Sequence, residues 1–240
     1  MIAANTVLDE CESTNDLARK LGESGAPHGT WISARRQTAG RGRLGRQWTS
    51  SEGNLFLSLI VRFEDKSKWT WVPLAAAVGV AQAFAKLNVR IKWPNDLWVD
   101  GKKLGGILCE GVGTSQGSFI IIGLGMNCAH APEGLDQLTT SLSLAAAQSI
   151  TADDIRENTI HAVLDAVELL LREGPAALST RYAKFAALGP GTAIQWNQET
   201  GTVVGLGPSG ELRVKSLNGE ERSIFAEDVK VRALSSPRPT

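Results

Sequence analysis

Only three of the 240 residues are cysteine, and Cys11, Cys109 and Cys128 are odd in number, far apart and without a C-x-x-C spacing. That excludes a disulfide framework and a cysteine-built zinc site, and it predicts a chain suited to a reducing cytoplasm. Long apolar runs are missing too, since no stretch approaches the roughly eighteen residues of a membrane span. The opening M-I-A-A-N-T-V-L-D-E lacks the basic start and apolar core of an export signal. Net charge is absent, with Lys plus Arg and Asp plus Glu at 25 each. No global field therefore draws the chain to nucleic acid or an anionic membrane. There is no G-x-x-x-x-G-K-[ST] phosphate loop, and Gly123-Leu124-Gly125-Met126-Asn127 lacks the third glycine and helix start of a dinucleotide fingerprint. His28, His130 and His161 are scattered and read as surface or helix positions. There is no internal repeat, and the one low-complexity stretch, the tail Ser235–Thr240, reads as frayed.

What is present suits one large domain with a small appendage. Thr6 to Cys11 alternates apolar and polar residues, and Ser13-Thr14-Asn15-Asp16 offers N-cap chemistry to a helix carrying Leu17, Ala18 and Leu21. Thr30–Gln37 and Asn54–Phe63 read as strands, and alanine-rich Thr70–Asn88 reads as a buried helix with Pro73 in its first turn. Val89–Trp93, Asp96–Asp100, Lys103–Glu110 and Ser118–Gly123 follow as strands, with Asp100-Gly101 as a tight hairpin turn. Thr151 opens a helix with a T-x-x-D pattern and an apolar stripe from Ile155 to Leu170, and a second helix covers Ala176–Leu188. Past Gly189-Pro190-Gly191 come Thr192–Trp196, Gly201–Leu206, Glu211–Ser216 and Arg222–Phe225, short strands between turn signals. The expected division is 1–188 and 189–240.

Between two of these strands lies S-A-R-R-Q-T-A-G-R-G-R-L-G-R-Q-W-T-S-S, Ser33 to Ser51, with five arginines, no acid and one tryptophan. Glycine exposes backbone N–H groups, arginine offers fixed forks for phosphate or carboxylate, and an indole face accepts a flat base. The arginines are interleaved with Gly40, Gly42 and Gly45, which points to an anion-binding loop rather than a solvated basic patch. Lys92-Trp93-Pro94-Asn95-Asp96 places a cation, an aromatic, an amide and a carboxylate on a proline-stiffened bend. Alone, such a bend is an ordinary Asx turn. Seven residues on, Lys103 stands beside Gly105-Gly106 in an otherwise apolar strand, and glycine pairs there mark close approach of a ligand or backbone. Cys109 reads as a small core residue rather than a nucleophile.

In their order and spacing, G-R-G-R-L-G-R-Q-W, K-W-P-N-D, K-L-G-G-I-L and G-L-G-M-N, with S-T-N near the start, resemble the catalytic domain of biotin protein ligases. The resemblance implies an α+β fold: a mixed sheet covered by helices, class II synthetase-like, with a small C-terminal SH3-like β-barrel. Family members that are also repressors carry a DNA-binding domain upstream, and here S-T-N comes within fifteen residues of the start, which fits the monofunctional form. The implied activity is ATP- and Mg²⁺-dependent activation of biotin as biotinyl-5′-AMP and its transfer to a lysine of a biotin carboxyl carrier protein. A monomer or weak homodimer, with no DNA and no membrane partner, is expected.

By the same resemblance, Ser13, Thr14, Asn15, Gln37, Gly40, Gly105 and Gly106 belong to the biotin end, and Arg41-Gly42-Arg43 closes over it. Lys103 bridges carboxylate and α-phosphate, and Lys103, Arg43 and Asp96 are the catalytic set. Arg41, Arg43, Arg46, Trp48, Asn95, Lys103 and Asn127 serve ATP and the adenylate, with Trp48 on adenine and Asn95 toward Mg²⁺. Asp96 either holds the metal-bound phosphate or guides the acceptor lysine, an amine with an ordinary pKa near about 10.4. The loop is expected to be mobile without biotin and to order over the adenylate, excluding water. Rival functions are a lipoate or octanoate ligase or transferase of the same superfamily, and a non-catalytic nucleic-acid module, against which the zero net charge argues.

Overall fold

The computed structural model describes residues 4–115, 117–226 and 231–233. The Ser235–Thr240 tail lies outside the described residues. Seven strands form the main sheet: β1 (Thr6–Cys11), β2 (Trp31–Gln37), β3 (Leu55–Val61), β4 (Arg90–Lys92), β5 (Asp96–Val99), β6 (Lys102–Thr114) and β7 (Gly117–Met126). Their order is β1-β2-β3-β7-β6-β5-β4. Among the described residues, the β1–β2 pair of this sheet is parallel and its other strand pairs are antiparallel. A parallel pair needs a crossover, and helix α1 (Thr14–Glu23) supplies it. Asp100 and Gly101 both take positive φ, 47° and 73°, as a two-residue hairpin turn demands.

The two faces of this sheet differ. On one, alternate residues of the central strands (Leu55, Leu57 and Leu59; Ile120, Ile122 and Leu124) join helices α2 (Val72–Ala83) and α4 (Ala152–Phe185) in the main core. Helix α2 is apolar on nearly all sides because it is covered on nearly all sides, with Gln82 exposed at its end. Gly79 lets α4 approach, since a Cβ there would lie 2.2 Å from the Ala162 carbonyl oxygen. Asp154 accepts both the backbone N–H and the hydroxyl of Thr151 at 2.7 Å, which fixes the start of α4. The two expected helices meet within α4 at Gly174, whose non-helical φ of 81° and ψ of 178° separate them just before Pro175. A short helix α3 (Leu142–Ala146) was not anticipated, and α2 stops short of Asn88, whose φ of 53° ends a 3-10 turn.

On the other face, α1 packs on Ile32, Ile60, Val112, Phe119 and Ile121 and goes no further along the sheet. Beyond it, that face includes Gly106 paired with Gly125 and Leu108 paired with Gly123. The second sheet, antiparallel in the order β11-β10-β9-β8-β12, has the small SH3-like layout expected. It contains β8 (Ala193–Trp196), β9 (Glu199–Leu206), β10 (Leu212–Ser216), β11 (Glu221–Ile224) and the unanticipated β12 (Val231–Ala233). Two indoles fasten it to the larger unit: Trp71 Nε1 donates to Pro208 O at 2.9 Å and Trp93 Nε1 to Gly210 O at 3.0 Å. Among the described residues, no helix is long and apolar enough to cross a membrane.

Candidate active site

Where α1 ends its cover, the glycine-floored part of the sheet opens into a cavity of about 700 Å³. Its rim comes from stretches far apart in sequence. The start of α1 supplies Ser13, Thr14 and Asn15, all buried. Ser13 makes no side-chain cap, contrary to expectation. Gln37, at the end of β2, caps the helix instead: its Oε1 accepts the Thr14 N–H at 2.9 Å and the Thr14 hydroxyl at 3.1 Å. Ser58 Oγ lies 2.8 Å from Thr14 Oγ1 and 2.6 Å from Asn15 Oδ1. Gly123 is needed beneath, because a Cβ there would stand 2.3 Å from Asn15 Oδ1.

The arginine loop is a small hairpin. Trp48 N–H donates to Gly40 O at 2.9 Å, Arg41 bridges Gln47, and Gly42 N–H donates to Arg46 O at 2.7 Å. Its tip, Leu44-Gly45, takes φ of 58° and 68°. Arg41, Arg43, Arg46 and Trp48 all border the cavity. The Trp48 indole lies across the Gly106–Gly125 pair, where a Cβ on Gly125 would come within 2.5 Å of the ring. Lys103 Nζ stands 5.5 Å from that ring's centroid. The indole thus packs on the sheet beside the ammonium, with its Nε1 buried and unpaired.

The K-W-P-N-D bend positions two cations. Asp96 Oδ1 holds Lys103 Nζ at 2.8 Å, with the two side chains 19% and 12% exposed. Asn95 Oδ1 accepts from Arg43 Nη1 at 3.0 Å while its Nδ2 donates to Ile107 O at 2.7 Å. Burial pulls the Arg43 guanidinium below its ordinary value, and nearby Asp96 partly offsets this; the group remains charged at neutral pH. Asp96 therefore has a task beyond the two foreseen, that of aiming Lys103. Asn95, expected to face Mg²⁺, borders the cavity and orients Arg43 there. Among the described residues, no cluster of three or more His, Cys, Asp or Glu could hold a metal.

Gly42, Gly106 and Asn127 also border the cavity, whereas Gly40 and Gly105 do not. A Cβ on Gly105 would meet Gly125 O at 2.7 Å and Leu97 Cδ1 at 3.4 Å, so this glycine serves strand packing. Gly40 is buried against Gln37 and Trp48. Asn127 Nδ2 donates to Thr140 O at 3.0 Å and so holds down segment 129–141. That segment also pairs with Lys103 through Lys103 N–H to Leu138 O and Thr140 N–H to Lys103 O, both 2.9 Å. It brings Pro132, Leu135, Asp136, Gln137 and Thr139 to the rim. Nothing in its composition announced this, because backbone bonds formed only in the fold set its course. Lys92, 4.5 Å over the Trp98 ring, and Val231 of the second sheet complete the far wall. The thiols take no part: burial raises Cys11 to about 11 and Cys128 to about 12, and pushes Cys109 up as well.

Residues 7–127 match the model of the biotin/lipoate A/B protein ligase family. The chain is 32% identical over 237 residues to the bifunctional ligase/repressor BirA of Bacillus spizizenii, covering 93% of this chain and 72% of that one. It is 38% identical over 146 residues to the biotin–[acetyl-CoA-carboxylase] ligase of Mycobacterium tuberculosis, covering 57% of this chain and 53% of the relative. Among solved structures, the biotin protein ligase of Aquifex aeolicus in complex with biotin and ATP superposes with a TM-score of 0.80 at 25% identity, covering 95% of this chain and 98% of that one.

Proposed function

Since the chain belongs to the biotin/lipoate A/B protein ligase family, we propose that it is the ATP-dependent ligase that activates biotin as biotinyl-5′-AMP and transfers it to a lysine of a biotin carboxyl carrier protein. One observation carries the site: Arg41, Arg43 and Arg46 from the loop, Lys92 from β4 and Lys103 from β6 border a single cavity. A carboxylate and a triphosphate repel one another. At an effective dielectric of about 20, each cation near ~4 Å offsets on the order of 4 kcal/mol before desolvation.

In the first step a biotin carboxylate oxygen attacks the α-phosphorus of ATP, the α–β bridging P–O bond breaks, and pyrophosphate leaves. Lys103, aimed by Asp96, stabilises charge on the carboxylate and α-phosphate oxygens, and Arg43, held by Asn95, adds a second cation from the loop side. Buried Ser13, Thr14 and Asn15, with half-buried Gln37, offer hydrogen-bonding groups for the ureido end. Arg41, Arg46, Trp48 and Asn127 serve the nucleotide side. Mg²⁺ enters as part of the MgATP substrate. In the second step the acceptor amine attacks the acyl carbon, the C–O bond to phosphate breaks, AMP leaves, and the amine gives up a proton. Asp96, close to the reacting centre, can guide that amine.

The test offers a carrier domain with MgATP and either biotin or lipoate and follows its mass. A biotin-sized increase confined to the biotin reaction, with pyrophosphate released, is expected. Equal modification by lipoate overturns the choice of substrate, and neither modification nor pyrophosphate overturns the activity.

A further inference from the structure

Strand β6 carries Gly106, Leu108 and Glu110 on one face, and only the first two border the main cavity. Glu110 lies behind the arginine loop, in a hollow of about 390 Å³ that it shares with Arg41, Arg43 and Leu44. Its side chain is 25% exposed and meets three partners from two other elements. Oε2 accepts from Asn15 Nδ2 at 2.6 Å, Oε1 pairs with Arg19 Nη2 at 3.2 Å, and Arg41 Nη2 stands 3.6 Å from Oε2. Arg41 in turn forks onto Asp16, both bonds 2.7 Å. Two acids and two arginines thus form a neutral cluster spanning α1, the loop and β6.

We propose that Glu110 is a positioning residue: it fixes which way the buried Asn15 amide faces and, with Asp16, ties the base of the arginine loop to the sheet. The amide of Asn15 is nearly symmetric in shape, so only its partners decide its orientation. Ser58 can donate to Oδ1, and Glu110, acceptor-only when ionised, requires the NH₂ end. Without the carboxylate the buried amide donor is left unpaired and the orientation is lost. The loop tie is electrostatic, and Asp16 supplies its stronger half.

The two tasks respond to different substitutions. Glu110→Gln keeps an oxygen for Asn15 and loses the charge facing Arg19 and Arg41, whereas Glu110→Ala loses both. Biotin binding measured by calorimetry should weaken about tenfold in Glu110→Ala and less than about threefold in Glu110→Gln. Tryptic cleavage within residues 41–46, without biotin, should quicken about threefold or more in both variants. If Glu110→Ala does not fold, Glu110→Asp, one methylene short of Asn15, replaces it. Wild-type affinity and wild-type cleavage in the variants overturn the proposal, and so does Glu110→Gln losing as much affinity as Glu110→Ala. The ligand in this experiment rests on the function proposed above. Wild-type protein that fails to bind biotin strikes that function, while the cleavage rates need no ligand and test the tie alone.

Discussion

The two faces of the main sheet are made by the same strands, yet one is a dry core and the other a charged cavity. Along β7, Ile120, Ile122 and Leu124 point into the packing of α2 and α4, while Gly123 and Gly125 between them floor the cavity. What separates the faces is cover. Two helices close one, and a single short helix closes only part of the other. Stability and chemistry can therefore be altered separately by changing neighbouring residues of one strand.

The largest effect is expected from Lys103→Met, which removes the cation aimed by Asp96 while leaving the core face untouched. Pyrophosphate release should fall by about 10²- to 10³-fold, the scale of losing one preorganised charge-stabilising group. Undiminished release in a burst assay would show that the cation cluster is not where the reaction occurs. Next, Ile122→Ala and Gly123→Ala set adjacent positions against each other. Ile122 is 0% exposed, and its truncation should cost about 2–5 kcal/mol in denaturant unfolding. Biotin affinity should hold in the fraction that remains folded.

Gly123→Ala should do the reverse in proportion. The added methyl forces Asn15 aside, so biotin affinity should fall about tenfold, with an unfolding cost within the ~1–3 kcal/mol of overpacking. If the two substitutions gave the same pattern, the division between faces would be wrong. The smallest effect concerns Asp16, whose carboxyl is held below the ordinary range by its hydrogen bonds to Arg41. A depressed carboxyl stabilises the fold above its unfolded pKa and loses that contribution as pH falls through the folded value. Because the pair is well exposed, solvent screening keeps the gain small. Asp16→Asn should lower the thermal midpoint slightly near pH 7 and match wild type once pH falls below the carboxylate range. A difference that persists in acid would assign the effect to shape rather than charge.

Much of the fold was legible because its signals are local. The Asp100-Gly101 turn, the Thr151 cap and the apolar central strands are set by neighbours within a few residues. The same holds for the part of the site that glycine and arginine spell out between β2 and β3. Where sequence reasoning went astray, a distant partner had taken over a local role. Ser13 does not cap α1 because Gln37 does. Gly105 left the cavity for a related reason: its missing side chain admits the carbonyl of Gly125 on the neighbouring strand.

Which residues carry charge, where the chain turns and which strands are apolar follow from side-chain chemistry and short-range backbone preference, and so are written in the order of the residues. Which cation each acid holds, which glycines floor the cavity and the closing of its rim by segment 129–141 and Val231 were settled by long-range packing. Those outcomes depend on contacts between elements distant in sequence, whose distances exist only once the sheet has paired and α1 has stopped short across its face.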